Sequence, residues 1–257
     1  MSIKFSNANV KLKKLYKVER LNRWLDGGRK VYSFDLLSGY ACPQAEKCMA
    51  RAIQTDNGRR ILDGPLMEFR CFSASQEVLY TNVYNLRKRN FDAIRAIVTD
   101  STLSEADKVY AIAKLIQSAL PKNAGIIRIH VAGDFFNKLY FQAWLQVARN
   151  NPSILFYAYT KALNHWIDNR EVVNAIPNLV LTASRGGRLD HYIDLFQLRE
   201  AIVFNTIQEA DDFNFEVDND DSHACIPEQR NKSFALIIHG TQPKKPKAKK
   251  KALSVGA

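Results

Sequence analysis

The sequence predicts an α/β protein built as a full or partial (β/α) barrel with mostly parallel strands, on three observations. From Gly125 onward, β-rich runs alternate with helical runs, the signature of βαβ units. Each β-rich run stops at a glycine-containing or polar turn. In parallel sheets of this kind the functional groups gather at the carboxyl ends of the strands, and the polar candidates of this chain all fall at such ends.

The elements follow in order. Val31 to Leu37, within the segment Lys30–Gly39, reads as the first strand. Gln76–Val98 and Ala106–Leu120 read as long helices, the second opened by the capping box Ser104-x-x-Asp107. Ile126–Ala132 is β-rich and breaks at Gly133-Asp134. Asn137 to Asn150 sets Tyr140, Phe141, Trp144, Leu145 and Ala148 on one helical face before Asn151-Pro152 stops it. Ile154–Thr160 is the next strand, and Asn164–Ala175 the next helix, with Trp166, Ile167 and Val173 inward. Asn178–Ser184 is a strand closed by Arg185-Gly186-Gly187, and Ala201–Asn205 and Ser233–His239 are two later strands.

A chain of 257 residues with 46% hydrophobic residues can bury a sizeable core. It has no apolar run near the ~20 residues that span a bilayer, so no membrane partner is expected. Three sections are expected: a basic amino-terminal segment (1–30), an α/β barrel-like domain (31–240) and a lysine-rich tail (241–257). The net charge is +11. Six lysines of the tail, Lys244, Lys245, Lys247, Lys249, Lys250 and Lys251, account for much of it, and without them +5 is left for the remainder. The tail mixes lysine with Pro243 and Pro246 and lacks aromatics, so disorder is expected; its six lysines are candidates for binding nucleic acid by neutralising phosphates, with a solubilising tail as the alternative. Residues 1–30 carry nine Lys or Arg against two acids. Among them Lys11, Lys13, Lys14, Lys17 and Arg20 are candidates for binding DNA or RNA through phosphates, and the interleaved Tyr16 and Trp24 either stack on bases or anchor the segment to the core. The acidic run Glu209–Asp221 is expected to be a solvated loop; it has no D-x-[DN]-x-[DN]-G pattern.

The chemistry is carried by four cysteines, Cys42, Cys48, Cys71 and Cys225, spaced C-x5-C-x22-C-x153-C. The start Met-Ser-Ile-Lys-Phe-Ser-Asn lacks an apolar stretch like a secretory signal, so a reducing cytoplasm is expected and disulfides are disfavoured. Buried, unrelated thiols are the plain alternative, but Ala41 to Cys48 and Asp221 to Pro227 are polar and proline-bearing. Zinc and an iron–sulfur cluster both want thiolates; structural zinc favours C-x2–4-C knuckles and cluster ligands are more variable in spacing. The expectation is a [4Fe–4S] cluster closed by all four cysteines, with a structural or electron-transfer role and hence a redox partner. His223 is the best ligand candidate outside the cysteines. On the same rim, Asp134 is a candidate either for a cofactor or as the cap of the following helix, and Lys161 and Arg185 are rim cations near the cluster or ordinary strand-end charges. Arg128 and His130 share a strand face, His130 as an internally satisfied histidine.

The motifs Ser38-Gly-Tyr-Ala-Cys42-Pro-x-Ala-x-x-Cys48, Arg70-Cys71-Phe-Ser, Ile129-His130-Val-Ala-Gly133-Asp134-Phe and Phe156-Tyr157-Ala-Tyr159-Thr160-Lys161 resemble a phage-encoded family, the gene-product-eighty-eight-like proteins, over roughly Val31 to Gly240. Such proteins look like relatives of the radical SAM partial barrel. That resemblance implies a cluster loop holding Cys42, Cys48 and Cys71, with Gly133-Asp134 where a Gly-Gly-Glu motif would hold S-adenosylmethionine. It also implies residence in the host cytoplasm. The chain departs from the compact C-x3-C-x2-C of those enzymes and adds a fourth cysteine, which would close the cluster, so S-adenosylmethionine is the less favoured cofactor. A radical-SAM-like enzyme with an open iron and a zinc-stapled nucleic-acid-binding module remain the alternatives.

Overall fold

The computed structural model describes residues 2–240 and 242–243; the lysines expected to form the tail lie outside the described residues. Among these residues the main sheet has seven strands: β1 (Ser6–Asn7), β2 (Lys30–Phe34), then β5 (Ala124–Ile129), β6 (Leu155–Thr160), β7 (Leu179–Ser184), β8 (Glu200–Phe204) and β9 (Phe234–Ile237), in the spatial order β1-β2-β5-β6-β7-β8-β9. Between β2 and β5 in the chain, β3 (Ala50–Thr55) and β4 (Gly58–Asp63) form a separate hairpin. All pairings in the main sheet are parallel except β1 with β2. The sheet is open, with β1 and β9 as its unpaired edges, so the full barrel does not form.

The helices are α1 (Asn22–Leu25), α2 (Phe72–Leu79), α3 (Thr81–Thr99), α4 (Glu105–Ala119), α5 (Lys138–Asn150), α6 (Leu163–Asp168), α7 (Arg170–Asn174), α8 (His191–Phe196), α9 (Ile207–Asp212) and α10 (Ser222–Cys225). The helix expected over Gln76–Val98 is in fact two. Tyr80 is extended (φ −117°, ψ 102°), and Arg59 from the hairpin takes the freed Glu77 carbonyl at 2.9 Å and the Thr81 hydroxyl at 2.7 Å. The hydrophobic spacing runs on through the break, which hides it from a periodicity reading. The helix expected over Asn164–Ala175 likewise divides at Asn169, whose side-chain amide donates to the His165 carbonyl at 2.9 Å and competes with the helix's own bonds.

Alternation along the strands sorts the core into two layers. Ile127, Ile129, Phe156, Ala158, Leu179 and Leu181 pack under the helices. There Trp144 of α5 meets Phe34 and Phe156 with ring centroids 5.5 and 6.1 Å apart; deleting a ring so buried costs about 3–5 kcal/mol. The alternate residues, Val31, Ile126, Leu155, Tyr157, Val180 and Phe234, face the other way. They are covered by Leu12, Leu15 and Leu21 of the amino-terminal segment and by Ala224, Cys225 and Ile226 at α10. The basic first thirty residues are therefore part of the fold: β1 joins the sheet, and the Tyr16 hydroxyl accepts the Val31 amide at 2.9 Å. The register, with Phe34 beside Ile129, Ile129 beside Ala158 and Thr160 beside Ala183, aligns the carboxyl ends on one rim.

Candidate functional site at the carboxyl rim

Backbone contacts build the rim. The cysteine loop that follows β2 is tied to the turn after β5 by the Asp134 amide on the Ala41 carbonyl at 3.0 Å. It is tied to the turn after β7 by the Lys47 amide on the Gly186 carbonyl at 3.0 Å and the Arg188 amide on the Gln44 carbonyl at 2.9 Å. Two glycines make this closeness feasible. Gly39 has φ +73°, and a Cβ there would stand 2.6 Å from the Ala50 carbonyl oxygen of β3; Gly133 has φ +89°, and a Cβ there would stand 2.7 Å from Leu36 Cβ. Asp35, just beyond β2, accepts the Val131 amide at 2.7 Å and the Ser33 hydroxyl at 2.8 Å. Glu77 reaches from α2 to accept the Ser38 amide and hydroxyl at 3.0 and 2.8 Å, with Arg87 beside it at 3.1 Å.

On this frame Cys42, Cys48 and Cys71 come together, each half-buried. Burial, then the nearby Asp134 carboxylate, then Cys71 and Cys48 push the Cys42 thiol well up from its ordinary value. Burial and then Cys48 raise Cys71 to about 11, against hydrogen bonds from Ser73 and from the Ala74 amide at the start of α2. Cys42 and Cys71, raised in part by the neighbouring thiols, with amide donors aimed at them from Gly39 toward Cys42 and from Ser73 and Ala74 toward Cys71, form with Cys48 a donor set that suits a cation or a cluster. Among the described residues no three His, Cys, Asp or Glu side chains stand close enough to hold a metal ion as they are.

Cys225 does not join them. It is fully buried on α10 among Tyr157, Val180, Ala201 and Phe234, and the charges acting on its thiol, which burial raises well up, are Asp221, Asp218 and Arg199. Cys225 lies apart from the three rim cysteines, because the connection carrying it packs against the face of the sheet covered by the amino-terminal segment. His223 goes with it, its Nε2 3.0 Å from Glu216 and its ring 5.6 Å from Phe234.

The other rim candidates are engaged internally. Asp134 accepts the Phe135 amide and the Thr160 hydroxyl at 2.7 Å and the Lys161 amide at 2.8 Å, with burial raising its pKa; the following helix is capped by Asn137 instead. Lys161 Nζ donates to the Ser184 carbonyl and hydroxyl at 2.7 and 2.8 Å and to the Arg185 carbonyl at 2.9 Å. Arg185 pairs with Glu200 and, at 2.7 Å, with Asp194. These three tie the ends of β5, β6, β7 and β8 together.

Arg128 and His130 part company. Arg128 turns to the face covered by the amino-terminal segment, pairing with Asp221 and lying 4.9 Å over the Tyr159 ring. His130 has φ +68°, which breaks the strand alternation, and its Nε2 sits 2.8 Å from the Tyr140 hydroxyl under the helices. Burial and then Arg128 lower its pKa to about 3, so it is neutral; of its ring nitrogens only Nε2 is satisfied, and Nδ1 is buried without a partner, so the expected full internal satisfaction is not met. The acidic run is not a solvated loop throughout: Asp218 and Asp221 are buried. Asp221 accepts Lys11 at 2.7 Å, Tyr157 at 2.9 Å and Arg128. No sequence motif announces this cluster; the signal was the coincidence of an acidic run with a basic segment far away in the chain.

The nucleic-acid candidates divide as well. Lys11 is taken up by Asp221, and Lys14 Nζ donates to the Asn219 carbonyl at 3.1 Å. Lys13, Lys17 and Arg20 are exposed on the surface of the same segment. No helix among the described residues is long and apolar enough to cross a membrane.

No solved structure matches this chain. The Gene 88 protein of Mycobacterium phage L5 is 28% identical over 125 residues, 48% of this chain, and the match spans 44% of that relative's length. The family model described as Gene product 88 matches residues 1–255, virtually the whole sequence, and the chain belongs to the Gene product 88 family.

Proposed function

We propose that this is a phage-encoded metal–thiolate protein of the host cytoplasm, holding an iron–sulfur cluster through Cys42, Cys48 and Cys71 and associating with nucleic acid through its basic amino-terminal segment. The observation that carries the reading is the meeting of three thiols from separate chain segments on the carboxyl rim of a parallel sheet, where such sheets place their chemistry. When bound, a cluster supplies one-electron transfer and ties the rim loops together. The residues' own part is to present thiolates, with the donors from Ser73 and Ala74 holding the Cys71 sulfur and Gly39 the Cys42 sulfur.

The position of Cys225 favours a second reading over the closed, four-cysteine one. Three thiolates leave one iron without a cysteine, and an open position is the mark of catalytic rather than structural metal sites. The sequential strand order is also that of a barrel left open, which supports the radical-SAM-like alternative. Asp134, the carboxylate nearest in effect to Cys42, is the protein group best placed to face that position, though its three internal bonds leave it little freedom.

Anaerobic purification followed by ultraviolet–visible and electron paramagnetic resonance spectra, with iron, sulfide and zinc counts, tests the proposal. The expected result is a brown protein with iron and sulfide in equal amounts, both lost in Cys42→Ser, Cys48→Ser and Cys71→Ser and kept in Cys225→Ser. A colourless protein carrying zinc would install the zinc module instead, and a protein that binds neither metal would end the metal reading. Reductive cleavage of S-adenosylmethionine by the reduced protein would select the open-iron enzyme.

A further inference from the structure

A cleft of about 760 Å³ opens on the face of the sheet covered by the amino-terminal segment and reaches the rim at Phe72, next to Cys71, and at Val131, just after β5. Arg128 and Tyr159 line it from the sheet, α2 walls it, and Lys11 and Lys14 border it from the amino-terminal side. Its volume is that of a site for a nucleotide-sized ligand. Three of the most exposed large apolar side chains of the protein, Val10 at 82%, Leu79 at 68% and Tyr80 at 58%, line this one cleft. Exposed apolar groups gathered at a concavity mark a binding site.

We infer that this cleft receives an unpaired base of a single-stranded nucleic acid, whose backbone then follows the cations of the amino-terminal segment. The inference rests on the nucleic-acid half of the function proposed above and gives it a place and a strand preference. Two features select this occupant. The cleft offers flat surfaces: Tyr80, left exposed where the chain breaks between α2 and α3, and the Phe72 and His239 rings, whose centroids lie 4.5 Å apart. Bases of any sequence stack on such rings. The lining carries Lys11, Lys14 and Arg128 against Asp218 and Asp221, with Lys11 and Arg128 paired to Asp221, and Lys13, Lys17 and Arg20 are exposed on the same short stretch as Lys14. The free charge presented to a ligand is positive, which suits phosphates beside a base and excludes a plain apolar ligand. In a duplex the bases are stacked and paired and cannot enter; a single strand offers them at small cost.

The test uses the full chain with its tail and measures fluorescence anisotropy with a short fluorescein-labelled oligothymidylate and with the matching duplex at low salt. Wild type is expected to prefer the single strand. Tyr80→Ala should weaken single-strand binding by about ten-fold, within the range for one stacked base, leave duplex binding and the salt dependence unchanged, and melt like wild type; Tyr80→Trp should restore the affinity. Lys13→Glu with Lys17→Glu should weaken both probes and flatten the salt dependence. Wild type that binds neither probe would remove the nucleic-acid reading altogether. Wild type that binds, with Tyr80→Ala indistinguishable from it or weakened equally on both probes, would overturn the cleft alone. Competition by polyglutamate as effective as by unlabelled oligothymidylate would also overturn it, by showing a site for acidic chains without a base.

Discussion

Replacing Asp221 with Ala puts the packing of the amino-terminal segment to a quantitative test. The carboxylate is fully buried and is shared by Lys11 at 2.7 Å, Tyr157 at 2.9 Å and Arg128. Arg128 has no other acid pairing with it among the described residues, and Asp221 offsets the burial that would otherwise disfavour its charge. Removing one partner of such a pair leaves an uncompensated buried charge and costs about 3–5 kcal/mol. For a chain of this size, each kcal/mol moves the melting midpoint by about 2–4 °C, so a fall of roughly 6–20 °C is expected by circular dichroism melting. Removing both charges in Asp221→Ala with Arg128→Met should recover part of the loss, because the stranded guanidinium is gone. The pH dependence has a fixed sign. Despite burial, Arg128 and Lys11 hold Asp221 below the ordinary carboxylate range, so its contribution is complete above the unfolded-chain value near 4 and is lost as the pH falls through the lower folded value. The gap between wild type and Asp221→Ala should therefore stay constant around neutrality and close only in strong acid. A single variant melting within about 2 °C of wild type, well below the shift expected, or a double variant no better than it, would refute this account of the cluster.

Three further expectations follow from single positions. Cys225→Ser places a hydroxyl in the apolar layer around Cys225 and should lower stability by about 1–3 kcal/mol in urea titration with metal content unchanged; an equal loss of metal would return Cys225 to the site. Gly39→Ala meets both a positive φ and the Ala50 carbonyl, and should cost about 1–3 kcal/mol; a neutral result would mean that the cysteine loop is not held against β3. His130 stays neutral in the fold down to a pH of about 3 while the unfolded chain takes up a proton near 6.5. Stability should then fall with acidification below about pH 6.5, by up to about 1.4 kcal/mol per pH unit. His165 and His239, also lowered by burial, add in the same direction, and His223, raised mainly by Asp218, opposes it. His130→Gln should flatten the slope, and an unchanged slope would assign it to the other histidines.

The parallel strands were legible in the sequence because each is a β-rich run that ends at a glycine or polar turn, and all five strands expected from Ile126 onward are found with their ends shifted by a few residues. What was hidden is what depends on partners distant in the chain. Tyr80 breaks a helix only because Arg59 takes the freed carbonyl. The 3-10 stretch Leu12–Lys17 reads as a basic tail until Leu12 and Leu15 find the sheet. Asp221 and Lys11 are each unremarkable alone. That Cys42, Cys48 and Cys71 are only half-buried was legible, because polar, proline-bearing surroundings are poor places for core thiols. The same argument failed for Cys225, since its loop carries Ala224 and Ile226 inward alongside it.

The electrostatics of two rim thiols, Cys42 and Cys71, give a metal prediction that does not depend on which metal is native. Burial raises Cys42 well up and Cys71 to about 11, so near neutrality both are protonated in the metal-free protein and must lose their protons to ligate. Each proton displaced makes the apparent affinity rise about ten-fold per pH unit, and because Cys71 stays protonated to about 11, that dependence should persist across the whole neutral and alkaline range. With cobalt(II) as the probe, followed by its thiolate charge-transfer absorption, the affinity of metal-free protein should rise at least about a hundred-fold per pH unit, the part due to the protons of Cys42 and Cys71. Cys71→Ser should reduce that dependence by one proton and Cys225→Ser should leave it intact. An affinity independent of pH would mean that the thiols are already ionised or do not bind, and either outcome removes the electrostatic reason for reading the carboxyl rim as a metal centre.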